Sequence, residues 1–307
     1  MSATVLRISR GAIVCCAAIA IIITVLLTMH VCQADPLAPG DYARSLVIHG
    51  VTRTYLLHVP PPVEGRDRLP MVLLLHGMGV SGSVVARATG MAEQADKEGY
   101  YLVCPDAAGE KKRWNTGAGT PEDLAFLTQL LDKLVIELPV DKQRCYASGY
   151  SSGAVMCYRL ALDSPHRLAA IAPVCGTLER ATSLQAQMMR QRLPVPVMLI
   201  YGELDKEFPC RGKTMPTSPR YSADETIDFW VKYNHCTAMS DNLVLENGSV
   251  ILAQYIGKRP EEHVVFVTVK QNEHEWPGST IIQQQTRPTL HSFVMSTMWD
   301  FLRQQSR

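Results

Sequence analysis

The sequence predicts an α/β protein with a mostly parallel sheet, an N-terminal antiparallel hairpin and helices on both faces. Short apolar runs that suit buried strands alternate along the chain with segments of helical periodicity. Two β-branched and aromatic runs precede the first of these units and resemble the arms of a hairpin. Repeated strand and helix units favour a parallel sheet, because each parallel connection must cross over one face of it.

Each element follows from a local pattern. The hairpin covers Leu46 to Val59 and turns near Gly50, and Asn247-Gly248 supplies the positive φ angles of a second tight turn. Strands are predicted at Met71 to Leu75, Tyr100 to Cys104, Arg144 to Ser148, Ala169 to Val174, Val195 to Tyr201 and His263 to Val269. Helices are predicted at about Ser83 to Glu98, Pro121 to Leu138, Ser152 to Leu162, Ala223 to Tyr233 and His291 to Leu302. Thr182 to Gln191 and Pro277 to Pro288 are expected to be polar insertions. Since no Pro- or Ser-rich linker divides these elements, residues 41–307 are predicted to form a single domain.

Composition narrows the function classes. The chain has 307 residues, of which 47% are hydrophobic and 19% charged, and its formal net charge is +1. These values are ordinary for a globular protein and disfavour disorder and electrostatic binding of nucleic acid.

The N-terminal segment is predicted to lie outside the fold. Arg7 and Arg10 precede an apolar run over residues 13–29, which is typical of an export signal over residues 1–34 with cleavage after Ala34. The alternative is an uncleaved anchor, because about 17 apolar residues can just span a bilayer. The first interpretation predicts a secreted or periplasmic protein. The second predicts membrane attachment through residues 13–29 only, with the domain over residues 41–307 outside the cytoplasm.

The cysteines indicate no metal site. Six lie outside the leader, and their spacing shows no finger-like set of ligands. Cys210 and Cys236 lie in polar surroundings, so they are the preferred candidates for a disulfide in an exported protein.

The strongest motif is Gly149-Tyr150-Ser151-Ser152-Gly153, between a predicted strand and a predicted helix. A serine on this sharp turn is exposed above the sheet edge, and the flanking glycines let strand and helix pack closely. Ser151 is therefore the candidate nucleophile. The alternative is a glycine-rich turn without a nucleophile.

A serine nucleophile needs a base and an acid that orients the base. Reacting groups in open α/β sheets gather at the carboxyl ends of strands. Asp205 follows one predicted strand there and His274 follows another. Ser151, Asp205 and His274 also occur in the chain order that this kind of serine hydrolase uses. Glu203 and Glu207 remain substitutes for the acid.

A third site follows the strand that ends at Leu75. His76-Gly77-Met78-Gly79 can bring a backbone N–H, that of Met78, to the oxyanion of an acyl-transfer intermediate, and Ser152 can supply the second. Residues 77–82 also spell the G-x-G-x-x-G of a dinucleotide site. Two strands precede the motif and an exported chain meets little nicotinamide cofactor, which disfavours that interpretation.

These segments together resemble a known family. His76-Gly77, Trp114-Asn115, the Ser151 pentapeptide and His274-Glu275-Trp276-Pro277-Gly278 are similar to motifs of extracellular esterases, the polyhydroxybutyrate depolymerase-like proteins and feruloyl esterases. The resemblance implies an α/β-hydrolase fold, a Ser-His-Asp mechanism and no cofactor. It also assigns Asp205 as the acid, Met78 and Ser152 to the oxyanion hole, and Trp114 to a place near the substrate. Trp276 is a further substrate-binding candidate, and packing is the alternative for both tryptophans.

The expected function is that of an exported serine esterase. Its candidate substrates are feruloyl or acetyl esters of polysaccharides and hydroxyalkanoate oligomers, and a soluble ester or oligomer is preferred because no polymer-binding module is visible. The loop before the histidine, Gln271-Asn272-Glu273, and Ser152 depart from the family pattern. A serine peptidase of the same fold and a non-catalytic exported binding protein remain alternatives.

Overall fold

The central sheet confirms the predicted fold class. The computed structural model describes residues 37–117, 122–188, 193–208, 219–240, 242–279 and 287–307. The eleven strands found there are β1 Gly40–Ile48, β2 Val51–Val59, β3 Leu69–Leu75, β4 Tyr101–Pro105, β5 Val140–Tyr150, β6 Ala170–Val174, β7 Val197–Gly202, β8 Ala238–Met239, β9 Leu243–Leu245, β10 Val250–Ile256 and β11 His263–Val269. The helices are α1 Gly82–Thr89, α2 Met91–Glu98, α3 Glu122–Glu137, α4 Ser152–Asp163, α5 Arg180–Met188, α6 Ala223–Tyr233 and α7 Pro288–Arg303.

Strand order puts the ends of the central strands on one edge. The order is β1-β2-β4-β3-β5-β6-β7-β11-β10-β8, with β9 paired to β10. From β4 to β11 all neighbours are parallel, whereas β1, β2 and β10 pair antiparallel with their neighbours. The carboxyl ends of β3, β5, β7 and β11 therefore lie along the same edge.

Both faces of the sheet are covered. Val72 and Leu74 of β3 pack in one buried cluster with residues of α1, α2 and α7. Met71, Leu73 and Leu75 point to the opposite face because strand side chains alternate, and they are equally buried. A strand that is buried on both sides has to be apolar throughout, which explains why the run is continuous.

Two local predictions are wrong. The expected helix over Ser83 to Glu98 is divided into α1 and α2 at Gly90, whose φ of 64° is left-handed and ends the first helix. The expected insertion at Thr182 to Gln191 contains most of α5. Both predicted turns are confirmed, with positive φ at His49 and Gly50 and at Asn247 and Gly248.

The predicted leader and one predicted disulfide partner fall outside the described residues, and the predicted disulfide is wrong. The predicted leader over residues 1–34 and Cys210 lie outside the described residues. Cys236 carries a free thiol, so the expected Cys210–Cys236 disulfide is absent; burial raises the pKa of this thiol to about 11. Within the described ranges no helix combines the length and apolar character needed to cross a bilayer.

Candidate active site

Ser151 stands on a strained turn between β5 and α4. Its φ of 54° and ψ of −116° lie in a region that residues other than glycine rarely adopt. Its N–H donates to the carbonyl of Val174 at 3.0 Å, which ties the turn to β6. A Cβ on Gly153 would lie 2.2 Å from the carbonyl oxygen of Leu75. The glycine therefore lets α4 approach β3 closely enough to hold the serine at this edge.

His274 lies beside Ser151, in the loop that follows β11. Its Nε2 is 2.9 Å from Ser151 Oγ. The imidazole lies between the rings of Tyr150 and Phe208, with centroid separations of 5.3 and 5.4 Å. The Tyr150 hydroxyl also donates to the carbonyl of His274 at 2.6 Å, and burial raises the pKa of Tyr150 so that it remains a donor. These contacts restrict the ring to one position.

Asp205 orients the imidazole from the other side. Its Oδ2 is 2.8 Å from His274 Nδ1, while its Oδ1 accepts the N–H groups of Glu207 and Phe208 at 2.9 and 2.8 Å. The side chain is fully buried. A carboxylate in this place keeps the proton on Nδ1, and Nε2 is then free to accept the proton of the serine.

The loop after β3 lies directly against the serine. A Cβ on Gly77 would lie 3.6 Å from Ser151 Cβ and 2.9 Å from the ring of Tyr150. Met78 is exposed. Among the described residues, the backbone N–H groups of Met78 and Ser152 have no hydrogen-bond acceptor, as expected of donors that await a ligand.

The two predicted tryptophans are buried. Trp114 is 2% and Trp276 is 1% exposed, which favours the packing alternative for both rings. Trp114 donates from Nε1 to the carbonyl of His76 at 2.9 Å, and its ring lies tilted against the His76 ring with the centroids 5.0 Å apart. It is thereby joined to the loop that follows β3.

Sequence reasoning missed the aromatic pair Tyr150 and Phe208. Tyr150 occupies a variable position of the serine motif, and Phe208 comes three residues after Asp205, so no local pattern marks either ring. No local pattern marks Cys175 either, which lies beside the loop of His274. Its Sγ lies 3.4 Å from the carbonyl of Glu275.

Cys175, Asp205 and His274 form the one group of potential metal-binding side chains found in the described part of the chain. Their donor atoms lie within 4.8 Å of one another. Burial raises the pKa of the Cys175 thiol, which keeps it protonated at neutral pH and a poor metal ligand. Asp205 and His274 are already bonded to each other, so the group is better suited to moving a proton than to binding an ion.

Known proteins are similar to this chain in sequence or in fold. The family described as Esterase PHB depolymerase matches residues 53–218. The chain is 29% identical over 266 residues to "Putative esterase NocK" of Nocardia uniformis subsp. tsuyamanensis, covering 78% of this chain and 74% of that protein. It is 28% identical over 149 residues to the bifunctional acetylxylan esterase/xylanase XynS20E of Neocallimastix patriciarum, covering 48% of this chain and 21% of that protein. The acetyl xylan esterase of Aspergillus awamori shares the fold with a TM-score of 0.58 at 12% identity, over 76% of this chain and 94% of its own.

Proposed function

Because the chain belongs to the esterase PHB depolymerase family and is a carboxylic ester hydrolase, we propose that Ser151, His274 and Asp205 are its catalytic triad. The supporting observation is the continuous contact from Ser151 Oγ to His274 Nε2 at 2.9 Å and from His274 Nδ1 to Asp205 at 2.8 Å. A neutral serine hydroxyl is a weak nucleophile. Through this contact His274 accepts the hydroxyl proton while the serine oxygen attacks the ester.

Acylation begins with attack of Ser151 on the ester. Ser151 Oγ bonds to the ester carbonyl carbon while its proton passes to His274 Nε2, and the carbonyl oxygen becomes an oxyanion. The N–H groups of Met78 and Ser152 donate to this oxygen. The intermediate then expels the alkoxy group, which takes the proton from His274 and leaves as an alcohol. An acyl group remains on Ser151.

Deacylation repeats the sequence with water. His274 accepts a proton from water, whose oxygen attacks the acyl carbon, and the new intermediate collapses with cleavage of the bond to Ser151 Oγ. The proton returns to Ser151, and the carboxylic acid is released. Asp205 stabilises the imidazolium in both halves without accepting its proton.

We propose a substrate class from the names of similar proteins. Names of similar proteins include acetylxylan esterase and feruloyl esterase, which supports acyl esters of polysaccharides, and hydroxyalkanoate oligomers fit the family description. Turnover of acetylated xylan, methyl ferulate, hydroxybutyrate oligomers and a peptide library would rank these classes. Preference for the peptides would exclude esters as the main substrates.

The place of action is also a proposal. Arg7, Arg10 and the apolar run over residues 13–29 support export, with the catalytic domain outside the cytoplasm. The intact mass of protein recovered from the producing cell tests this. A chain that begins at Asp35 indicates a cleaved signal, whereas a full-length cytoplasmic chain contradicts export.

The triad is tested with Ser151→Ala. The variant should lose nearly all hydrolysis of 4-nitrophenyl acetate, because no nucleophile remains, and should fail to react with a fluorophosphonate probe that labels the wild type at neutral pH. Ser148→Ala is the matched control, since Ser148 is a buried β5 residue whose hydroxyl donates to Ala172. Wild-type turnover by the Ser151 variant would end the assignment.

A further inference from the structure

Three consecutive cations border the oxyanion loop. Lys111, Lys112 and Arg113, here called the basic strap, follow β4 in the chain, and both Lys111 and Arg113 are exposed. None of the three forms an ion pair with any described residue. Three neighbouring cations without ion pairs repel one another. An anion that binds beside them reduces this repulsion, so the strap favours anion binding.

Two hydrogen bonds fasten the strap to the loop that carries Met78. Gly79 donates its N–H to the carbonyl of Lys111 at 3.2 Å. Next to Arg113, Trp114 donates from Nε1 to the carbonyl of His76 at 2.9 Å. The strap is therefore attached at both of its ends to the four residues from His76 to Gly79.

The strap's far flank is anchored as well. Asn115 donates its N–H to Asp123 at 2.7 Å, and Asp123 is held by the buried Arg53. Arg159 of α4 donates to the carbonyls of Thr116 and Gly117. Since α4 also begins immediately after Ser151, the cations have a defined position relative to the nucleophile.

The backbone of the strap lies close to the loop that contacts the reacting serine. Gly77 lies against Ser151, and Gly79 is two residues further, at most about 7 Å along the chain. Burial is the largest cause of the lowered pKa of His76, and the positive charge of Lys112 contributes in the same direction. The charge of Lys112 therefore acts on the imidazole of His76, the first residue of the oxyanion loop.

Charge is divided between the two sides of the nucleophile. The loops of Asp205 and His274 carry three exposed carboxylates, Glu203, Glu207 and Glu273, and one exposed cation, Lys206. Near the strap, the side chain of Asp106 is occupied by the N–H of Gly82 and the hydroxyl of Thr54. Glu110 and Asp106 together offset two of the three positive charges, and the net charge beside the oxyanion loop stays positive, which attracts an anion there.

We propose that the basic strap selects ester substrates that carry a free carboxylate, which binds beside the oxyanion loop while the ester carbonyl faces Ser151. This rests on the proposed esterase function and adds a substrate class to it. Arg113 can bind a carboxylate through two parallel hydrogen bonds, and the lysines act as point charges. Oligomers of hydroxy acids with a free acid end have this chemistry.

The test compares two matched esters, mono-4-nitrophenyl adipate and 4-nitrophenyl 6-oxoheptanoate, in which a neutral ketone replaces the carboxylate. At low ionic strength the wild type should favour the anionic ester in kcat/KM by about tenfold. The preference should fall towards unity in 1 M salt, where the screening length is only about 3 Å.

The variant K111Q/K112Q/R113Q should lose this preference through a higher KM for the adipate ester, and kcat/KM for the ketone ester should change by a smaller factor. The control K97Q/K142Q/R303Q removes the same charge from exposed sites away from the oxyanion loop and should keep the preference. Arg113→Gln alone provides a milder variant if the triple substitution impairs folding, and it should lose part of the preference.

Equal use of both esters by the wild type would overturn the proposal, as would an equal loss on both esters in the strap variant. In those cases hydrolysis itself continues, so the proposed function stands. Absence of turnover for both esters together with absence of fluorophosphonate labelling would instead reject the proposed function and this inference with it.

Discussion

Asp205 is held in place independently of the imidazole that it serves. Two backbone N–H groups, from Glu207 and Phe208, hold its Oδ1, which leaves Oδ2 directed at His274 Nδ1. The carboxylate therefore determines the tautomer of the imidazole.

Asp205→Asn should reduce kcat by about 10⁴-fold with little change in stability. Asparagine can still accept both backbone bonds, but its amide donates to Nδ1 and forces the proton onto Nε2, where it blocks acceptance from Ser151. Steady-state hydrolysis of 4-nitrophenyl acetate measures the loss. Glu203→Gln, a change at an exposed carboxylate two residues away, should retain wild-type kcat. A large loss in Glu203→Gln and none in Asp205→Asn would transfer the role to Glu203.

The elements that hold Ser151 depend on close backbone packing. β5, the turn at Ser151 and α4 lie against the carboxyl end of β3, and Gly149 would meet the backbone of Gly153 at 2.7 Å if it carried a Cβ. At these distances the obstacle is main chain, which cannot rotate away as a side chain can. The spacing of the two glycines is therefore a packing requirement between elements as well as a local turn signal.

Gly153→Ala should destabilise the protein by about 1–3 kcal/mol, because the added methyl group forces α4 away from β3. The same displacement moves the Ser152 N–H away from the oxyanion, so kcat should fall with Tm. Thermal melting and ester hydrolysis measure both effects. Gly117→Ala is the control, since the nearest atom to its added Cβ is the side-chain oxygen of Asn115 at 3.2 Å. Equal melting temperatures for the two variants would contradict the packing argument.

At the scale of the whole molecule, several histidines are kept neutral by the fold. Burial lowers the pKa values of His76, His263 and His291. Ala107 donates its N–H to His76 Nε2 at 2.9 Å, so protonation of that nitrogen would also break a buried hydrogen bond. His291 lies beneath α1, with Nε2 bonded to the carbonyl of Thr89.

The free energy of unfolding should therefore decrease as the pH falls from about 7.5 to 5. Unfolded histidine titrates near 6.5, so below that pH the unfolded chain binds more protons than the native one, and stability follows the proton difference. The contribution is complete above about 6.5 and is lost in acid. Carboxylates titrate mainly below this window.

Melting temperature as a function of pH measures this effect. His291→Gln, which removes one buried titrating group and keeps a side-chain donor, should show a shallower decrease between pH 7 and 5 than the wild type. His49→Gln, at the exposed turn between β1 and β2, should match the wild type. A melting temperature that is independent of pH across this window would contradict the argument.

The sequence by itself determined the fold class, the β-α order, both hairpin turns and the triad candidates. Each of these depends on local information, namely side-chain periodicity, turn residues and position after a strand. Because parallel strands end on one edge, Ser151, Asp205 and His274 could be expected to meet without knowledge of any contact between them.

Only the tertiary structure decided which side chains surround those three. Tyr150 and Phe208 contact the ring of His274, Trp114 and Trp276 are buried, and the basic strap is bonded to the loop that follows β3. These relations join residues far apart in the chain, and they depend on how whole elements pack. A residue type or a local spacing carries no information about the partner that a distant strand brings to it.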